Sequence, residues 1–156
     1  MTSDLSRISR ASGGPTIKPE EEQFLKDQRF CVISTIRKSG TPTATPAYYL
    51  FEDGKLIISV TKTRAKTAHV RRDPRVCVCV LHEEYPFPYV EVTGRAVITE
   101  EDLEDKTRRI FASFTDHIPT PEVMKAEQRV LMVITPEEVF SRIQVRRHTD
   151  PSSPVF

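Results

Sequence analysis

The stretch that decides the fold is Leu56-Ile-Ile-Ser-Val-Thr-Lys-Thr-Arg-Ala-Lys66, which runs on through Thr67-Ala-His-Val-Arg-Arg-Asp-Pro74. Leu56 to Val60 reads as an apolar strand, and the hydroxyls of Ser59 and Thr61 mark its end. A helix-like segment follows over roughly Arg64 to Arg72 and is stopped by Asp73-Pro74. From Lys62 to Arg72 there are five Lys or Arg and no acid, in a chain whose formal net charge is only +1. The first N–H groups of a helix lack intrahelical partners and lie at the positive end of its dipole. A strand end feeding a basic helix start is therefore a natural cradle for an anionic group, phosphate above all.

Outward from this stretch the pattern is mostly strand. Arg29 to Ile36 and Thr41 to Glu52 read as strands joined by Lys38-Ser-Gly40, and Lys55 to Val60 follows the two-residue turn Asp53-Gly54, so a three-strand meander is expected. Arg75 to His82 is rich in Val and Cys, and Tyr85-Pro-Phe-Pro88 forms the next turn. In Tyr89 to Thr99, Val90, Val92, Ala96 and Ile98 alternate with Glu91, Thr93 and Arg95, which predicts one apolar and one polar face. Pro19 opens a short helix with Glu20 to Glu22 in its first turn, docked by Phe24 and Leu25 and expected to plug one end of a barrel. Thr99-Glu-Glu-Asp102 resembles a capping box for a helix to about Phe114, with Leu103, Ile110, Phe111 and Phe114 on one face. A short helix over Pro121 to Glu127 precedes a last strand from Arg129 to Ile134, continuing past Pro136 to Val145. The sum is an α+β, mainly β chain: a six-stranded antiparallel barrel with short flanking helices. Residues 1–18 read as a flexible N-terminal tail, 19–145 as the barrel domain and 146–156 as a C-terminal tail.

Composition narrows the function classes. A chain of 156 residues can build one core without staples, and 23 basic against 22 acidic residues argues against a general nucleic-acid or polybasic membrane binder. Cys31, Cys77 and Cys79 lie in apolar runs without CxxC spacing, and there is no long apolar span or N-terminal apolar region, which predicts a reduced, cytoplasmic protein. Cys77 and Cys79 share a strand face with His82 on the other, so no metal is expected. None of the five glycines forms GxGxxG or GxxxxGK[ST], and neither GxSxG nor HExxH occurs. Any nucleotide must be held another way.

Several segments in order carry a family resemblance: Arg29-Phe-Cys-Val-Ile-Ser-Thr-Ile36, Gly40-Thr-Pro42, Thr45-Pro-Ala-Tyr-Tyr49, Leu56-Ile-Ile-Ser-Val-Thr61, Arg64-Ala-Lys66, Arg71-Arg-Asp-Pro-Arg-Val76 and Val90-Glu-Val-Thr-Gly-Arg95. Together, over about residues 20 to 140, they resemble the pyridoxamine 5′-phosphate oxidase-like split-barrel family, and most of all its branch that uses the deazaflavin F420. The resemblance implies an FMN-binding-type split β-barrel and a homodimer with the cofactor in a groove at the subunit interface. It implies hydride transfer between the cofactor and a small conjugated organic substrate. By matching positions, Arg64 and Lys66 would bind the cofactor phosphate and Ser59 and Thr61 would donate hydroxyls to it. Thr43, Thr45, Pro46 and Ala47 would lie along the ring and ribityl chain, and His69 near the phosphate or ribityl chain.

Relatives commonly carry Gln near the Thr43 position and Asn near His69, and this chain has no Trp. FMN is accordingly the alternative cofactor, and a non-catalytic flavin or deazaflavin carrier or sensor the alternative role. The bare residues also allow the basic run to be only a solvated helix face. Tyr48 and Tyr49 alternate across a strand, so one can meet the groove while the other packs inside.

Overall fold

Alternation of apolar residues builds the sheet that the sequence predicts, and the breaks in that alternation route it. The structure is a computed structural model describing residues 15–85 and 87–144. Most of both expected tails, and the expected strand end at Val145, lie outside the described residues. Helix α1 (Pro19–Asp27) leads into β1 (Phe30–Ile36), β2 (Pro42–Tyr48), β3 (Leu50–Glu52) and β4 (Lys55–Thr61). Helix α2 (Ala65–Arg72), β5 (Arg75–Leu81), β6 (Tyr89–Thr99), α3 (Leu103–Ala112), α4 (Pro121–Ala126) and β7 (Arg129–Arg142) complete the order. All pairings are antiparallel, in one curled, open sheet of order β2-β1-β5-β6-β7-β4-β3.

There are seven strands rather than six, because the expected strand from Thr41 to Glu52 divides at Tyr49. The Tyr49 N–H donates to the Arg29 carbonyl and its hydroxyl to the Leu25 carbonyl, which turns the chain inward. The expected meander does not form. Strand β2 pairs only with β1, and the β3–β4 hairpin stands at the opposite edge of the sheet. The Asp53-Gly54 turn is as read, with φ of 52° and 71° at its two central residues.

Residues of alternate parity from β1, β5, β6 and β7 fill the main core: Cys31, Ile33, Val76, Val78, Val80, Val90, Val92, Met132 and Ile134 are buried there. Phe24 and Leu25 dock α1 onto it, and Ile17, within the stretch read as tail, packs against it too. Helix α1 begins with a one-sided cap, supplied by its third residue. Buried Glu21 accepts from the Lys18 N–H at 2.9 Å and from the Ser141 hydroxyl at 2.6 Å, tying the helix start to the end of β7. A second cluster on the other sheet face joins Ile57 and Leu131 to Ile110 of α3, with Leu103 and Phe114 against them.

The expected capping box at Thr99 is not the helix start. Strand β6 runs through Thr99, which pairs with Leu131, and α3 begins only after Asp102 takes a left-handed φ of 55°. The helix ends at Ala112, short of Phe114. Strand β7 passes through Pro136 by a β-bulge: Thr93 pairs with Glu138 and Gly94 with Pro136, which leaves Glu137 as the extra residue. Glu137 then meets Arg95 at 3.0 Å.

Candidate functional site

The short β3 creates the site. It covers β4 only from Lys55 to Ile57, so Ile58 to Thr61 have no strand on that side, and β2 curls back toward this free edge. Between them opens a cavity of about 590 Å³, walled by β2, the end of β4, the start of α2, and α3. That volume suits a small organic ligand or cofactor.

All nine residues singled out from the sequence line this cavity: Thr43, Thr45, Pro46 and Ala47 from β2, Ser59 and Thr61 from β4, Arg64 and Lys66 at the start of α2, and His69 one turn further on. The strand period explains part of this. Thr43, Thr45 and Ala47 are the half-buried positions of β2, opposite Thr35, Ile33 and Cys31 of β1. Helix α2 starts at Arg64 without a side-chain cap. The Thr67 and Ala68 N–H groups return to the Arg64 carbonyl, which leaves the first helical amides, Ala65 and Lys66, for an acceptor outside the helix. Buried Thr67 fixes the helix to the strand by donating its hydroxyl to the Thr61 carbonyl at 2.8 Å.

The electrostatics are one-sided. Arg37, Arg64, Lys66 and Arg129 line the cavity, and among the described residues no carboxylate does. Lys66 is half-buried, and burial foremost, with the Arg64 charge in the same direction, holds its ammonium below the usual lysine value. A cation desolvated beside other cations favours an incoming anion. His69 Nδ1 lies 2.9 Å from the hydroxyl of buried Thr35, and His69 lines the cavity. Of the two later arginines of α2, Arg72 donates to the Ile36 carbonyl at 2.8 Å and has a structural task.

The opposite end is aromatic. Tyr48 resolves the tyrosine pair: it lines the cavity and stacks on Phe114 at 3.8 Å and 14°, whereas Tyr49 is buried in the core. Phe111 stands 5.2 Å from Phe114, centroid to centroid, and the Arg129 guanidinium lies 4.8 Å over its ring. Sequence reasoning assigned Phe111 and Phe114 to helix packing and gave Arg129 no role. Arg129 had a findable signal: it is the first residue of the strand that pairs with β4, and it falls directly opposite Thr61.

The cysteines are not reactive groups of this site. All three are free; burial pushes the Cys31 thiol up to about 12, and burial with Glu91 nearby raises Cys77 and Cys79. Among the described residues no group of three His, Cys, Asp or Glu is placed to hold a metal ion, and no helix is long and apolar enough to cross a membrane.

The family model for pyridoxamine 5′-phosphate oxidase matches residues 17–142. Among solved structures, an F420 reductase is 20% identical, with 76% of this chain and 94% of that one covered and a TM-score of 0.65. A conserved hypothetical protein from Mycobacterium tuberculosis is 21% identical over 92% of this chain and all of its own, with a TM-score of 0.69. The heme storage protein HutZ from Vibrio cholerae is 15% identical over 80% of this chain and 94% of its own, with a TM-score of 0.65. At these identities the structural likenesses speak for the fold alone.

Proposed function

The chain belongs to the pyridoxamine 5′-phosphate oxidase family, and from that premise we propose that its cavity binds a phosphate-bearing deazaflavin, F420, for hydride exchange with a small conjugated organic substrate. The observation that carries this reading is the pairing of a carboxylate-free cationic end, Arg64, Lys66 and Arg129 with the hydroxyls of Ser59 and Thr61, to an aromatic end at Tyr48 and Phe114 in one cavity. A phosphate fits the first end, because it can accept charge-assisted hydrogen bonds from side chains and from the open amides of α2. A flat ring fits the second, with Thr43, Thr45, Pro46 and Ala47 along its edge.

When bound, such a ring supplies the hydride chemistry, and the protein supplies orientation and exclusion. Lys66 and Arg64 hold the anion; Tyr48, braced on Phe114, limits how the ring lies; Ile58, Val60 and Ile110 keep part of the cavity dry. The cofactor would lie at a homodimer interface. The broad outer face of β1, β5, β6 and β7 supports this, with half-exposed Val32, Cys79 and Leu81 and the exposed ring of Phe140. A reduced, cytoplasmic setting agrees with three free cysteines.

Purified protein titrated with F420 and with FMN, followed by fluorescence quenching, tests the reading. Tighter F420 binding is expected; tighter FMN binding assigns the alternative cofactor, and binding of neither removes the site. A carrier or sensor without turnover is the second reading, favoured by the tie between His69 and Thr35, which engages one nitrogen of the imidazole that lines the cavity. Reduced cofactor that is oxidised no faster in the protein than free, across quinones, nitro compounds and enones, would establish it.

A further inference from the structure

Ser59 stands where three elements meet. Its hydroxyl belongs to β4, Thr107 Oγ1 of α3 lies 3.0 Å from it, and Arg129 Nη1 at the start of β7 donates to it at 3.4 Å. Thr107 is fully buried, on the face of α3 that packs toward β4 and β7. A hydroxyl in such a place costs stability unless it is bonded, and among the described residues its side-chain partner is Ser59.

A serine hydroxyl has one proton and two lone pairs. A guanidinium can only donate, so Arg129 occupies one lone pair. Arg129 is itself held without any ligand, by Glu127 Oε2 at 2.6 Å from its Nε and by the ring of Phe111 beneath it. When Thr107 donates to the second lone pair, the Ser59 proton has one direction left, into the cavity beside Lys66 and Arg64. With the opposite polarity, Ser59 would spend its proton on Thr107 and turn a bare oxygen toward any anion.

We infer that Thr107 is a positioning residue of the anion site: from inside α3 it donates to Ser59 and so aims the single Ser59 proton at a bound phosphate. This rests on the phosphate-bearing cofactor proposed above and adds a residue that touches neither cofactor nor substrate. Helix α3 thereby takes part in anion recognition as well as in packing.

The test compares the full chain with Thr107→Val, Thr107→Ser, Ser59→Ala and the double variant Ser59→Ala/Thr107→Val. Each is titrated with FMN and riboflavin, and with F420 and the same deazaflavin lacking its phosphodiester tail. The readout is the ratio of affinities within each pair, which isolates the phosphate in the flavin pair and the whole anionic tail in the deazaflavin pair. Thr107→Val should lower that ratio about five- to tenfold, less than the loss of a whole hydrogen bond to a charged group, because Ser59 keeps its proton and loses only the aim. Thr107→Ser should restore it, and Thr107→Val should change nothing further once Ser59 is alanine. A ratio that is unchanged or raised in Thr107→Val overturns the role, as does an equal loss for both members of a pair, which marks general loosening of α3. Thr107→Ala against Thr107→Ser makes the same comparison if the valine variant does not fold. A wild-type chain that binds neither pair overturns the cofactor reading itself, and that outcome is distinct from wild-type binding with an indifferent Thr107.

Discussion

At the scale of single residues, Lys66 places stability and binding in opposition. Its pKa is lower in the folded chain than in the unfolded one, with burial the first cause. The folded state therefore binds this proton more weakly, and the charge disfavours folding at neutral pH. That penalty fades as pH rises from the lowered value to the unfolded value near 10.4. Its place in the first turn of α2, at the positive dipole end, acts in the same sense. Lys66→Met should therefore hold or raise the melting temperature of the ligand-free chain while weakening cofactor binding by about 1.5–3 kcal/mol. Melting curves and titrations on the same preparations check both halves, and a variant that binds as the wild type does would remove Lys66 from the site. By the same linkage, cofactor affinity should fall on the alkaline side as Lys66 loses its proton, and this fall should be missing in Lys66→Met.

Among the elements, Gly94 carries the sharpest steric demand. A Cβ there would overlap the Thr135 carbonyl oxygen across the β6–β7 bulge, and backbone cannot step aside as a flexible side chain can. Gly94→Ala should destabilise the chain by about 1–3 kcal/mol, the range for forced overpacking. Urea unfolding measures it, and an unchanged midpoint would mean that the bulge relaxes freely. The bulge also shows where sequence reading stops. Alternation from Tyr89 to Thr99 names the buried face of β6 correctly, because period-two burial is local. The register slip at Thr93 and Gly94 depends on Pro136, which lies far along the chain. The same boundary explains the division at Tyr49. Nothing local distinguishes Thr41 to Glu52 from one strand, and the break is made by bonds to Arg29 and Leu25 from elements already in place. Turn chemistry fares better, since the positive φ of Asp53 and Gly54 is written in those two residues.

For the molecule as a whole, the site divides along the same line. Nine of its residues come from three short ordered segments, β2, β4 and α2, so motif order brings them within reach of the sequence. Phe111 and Phe114 join them only because α3 folds back over β4, which no spacing announces, and Arg129 because β7 pairs with β4. Assembly is the other global property. The register sets Val32, Cys79, Glu91 and Phe140 in one row across four strands, and Phe140 ends it 54% exposed with Tyr89 beside it. Apolar surface of this kind favours burial against a partner. In the proposed dimer, Phe140→Glu should shift the protein toward monomer in sedimentation velocity without lowering its helix and strand content by circular dichroism. A wild-type chain that sediments as a monomer at micromolar concentration would refute the dimer.

The curl also has a mechanical consequence. Strands β2 and β4 face each other across the cavity, yet in the sheet they are joined through β1, β5, β6 and β7. The sheet is thus a C-shaped spring, with two jaws and a back of intervening strands. Each of the five junctions contributes roughly 20° of twist, so a few degrees lost or gained at each accumulates at the mouth. The jaw gap is then set by stiffness along the back as much as by the residues that touch the ligand. Grip becomes a property of curvature, adjustable by substitutions in β5 or β6 that never meet what is held.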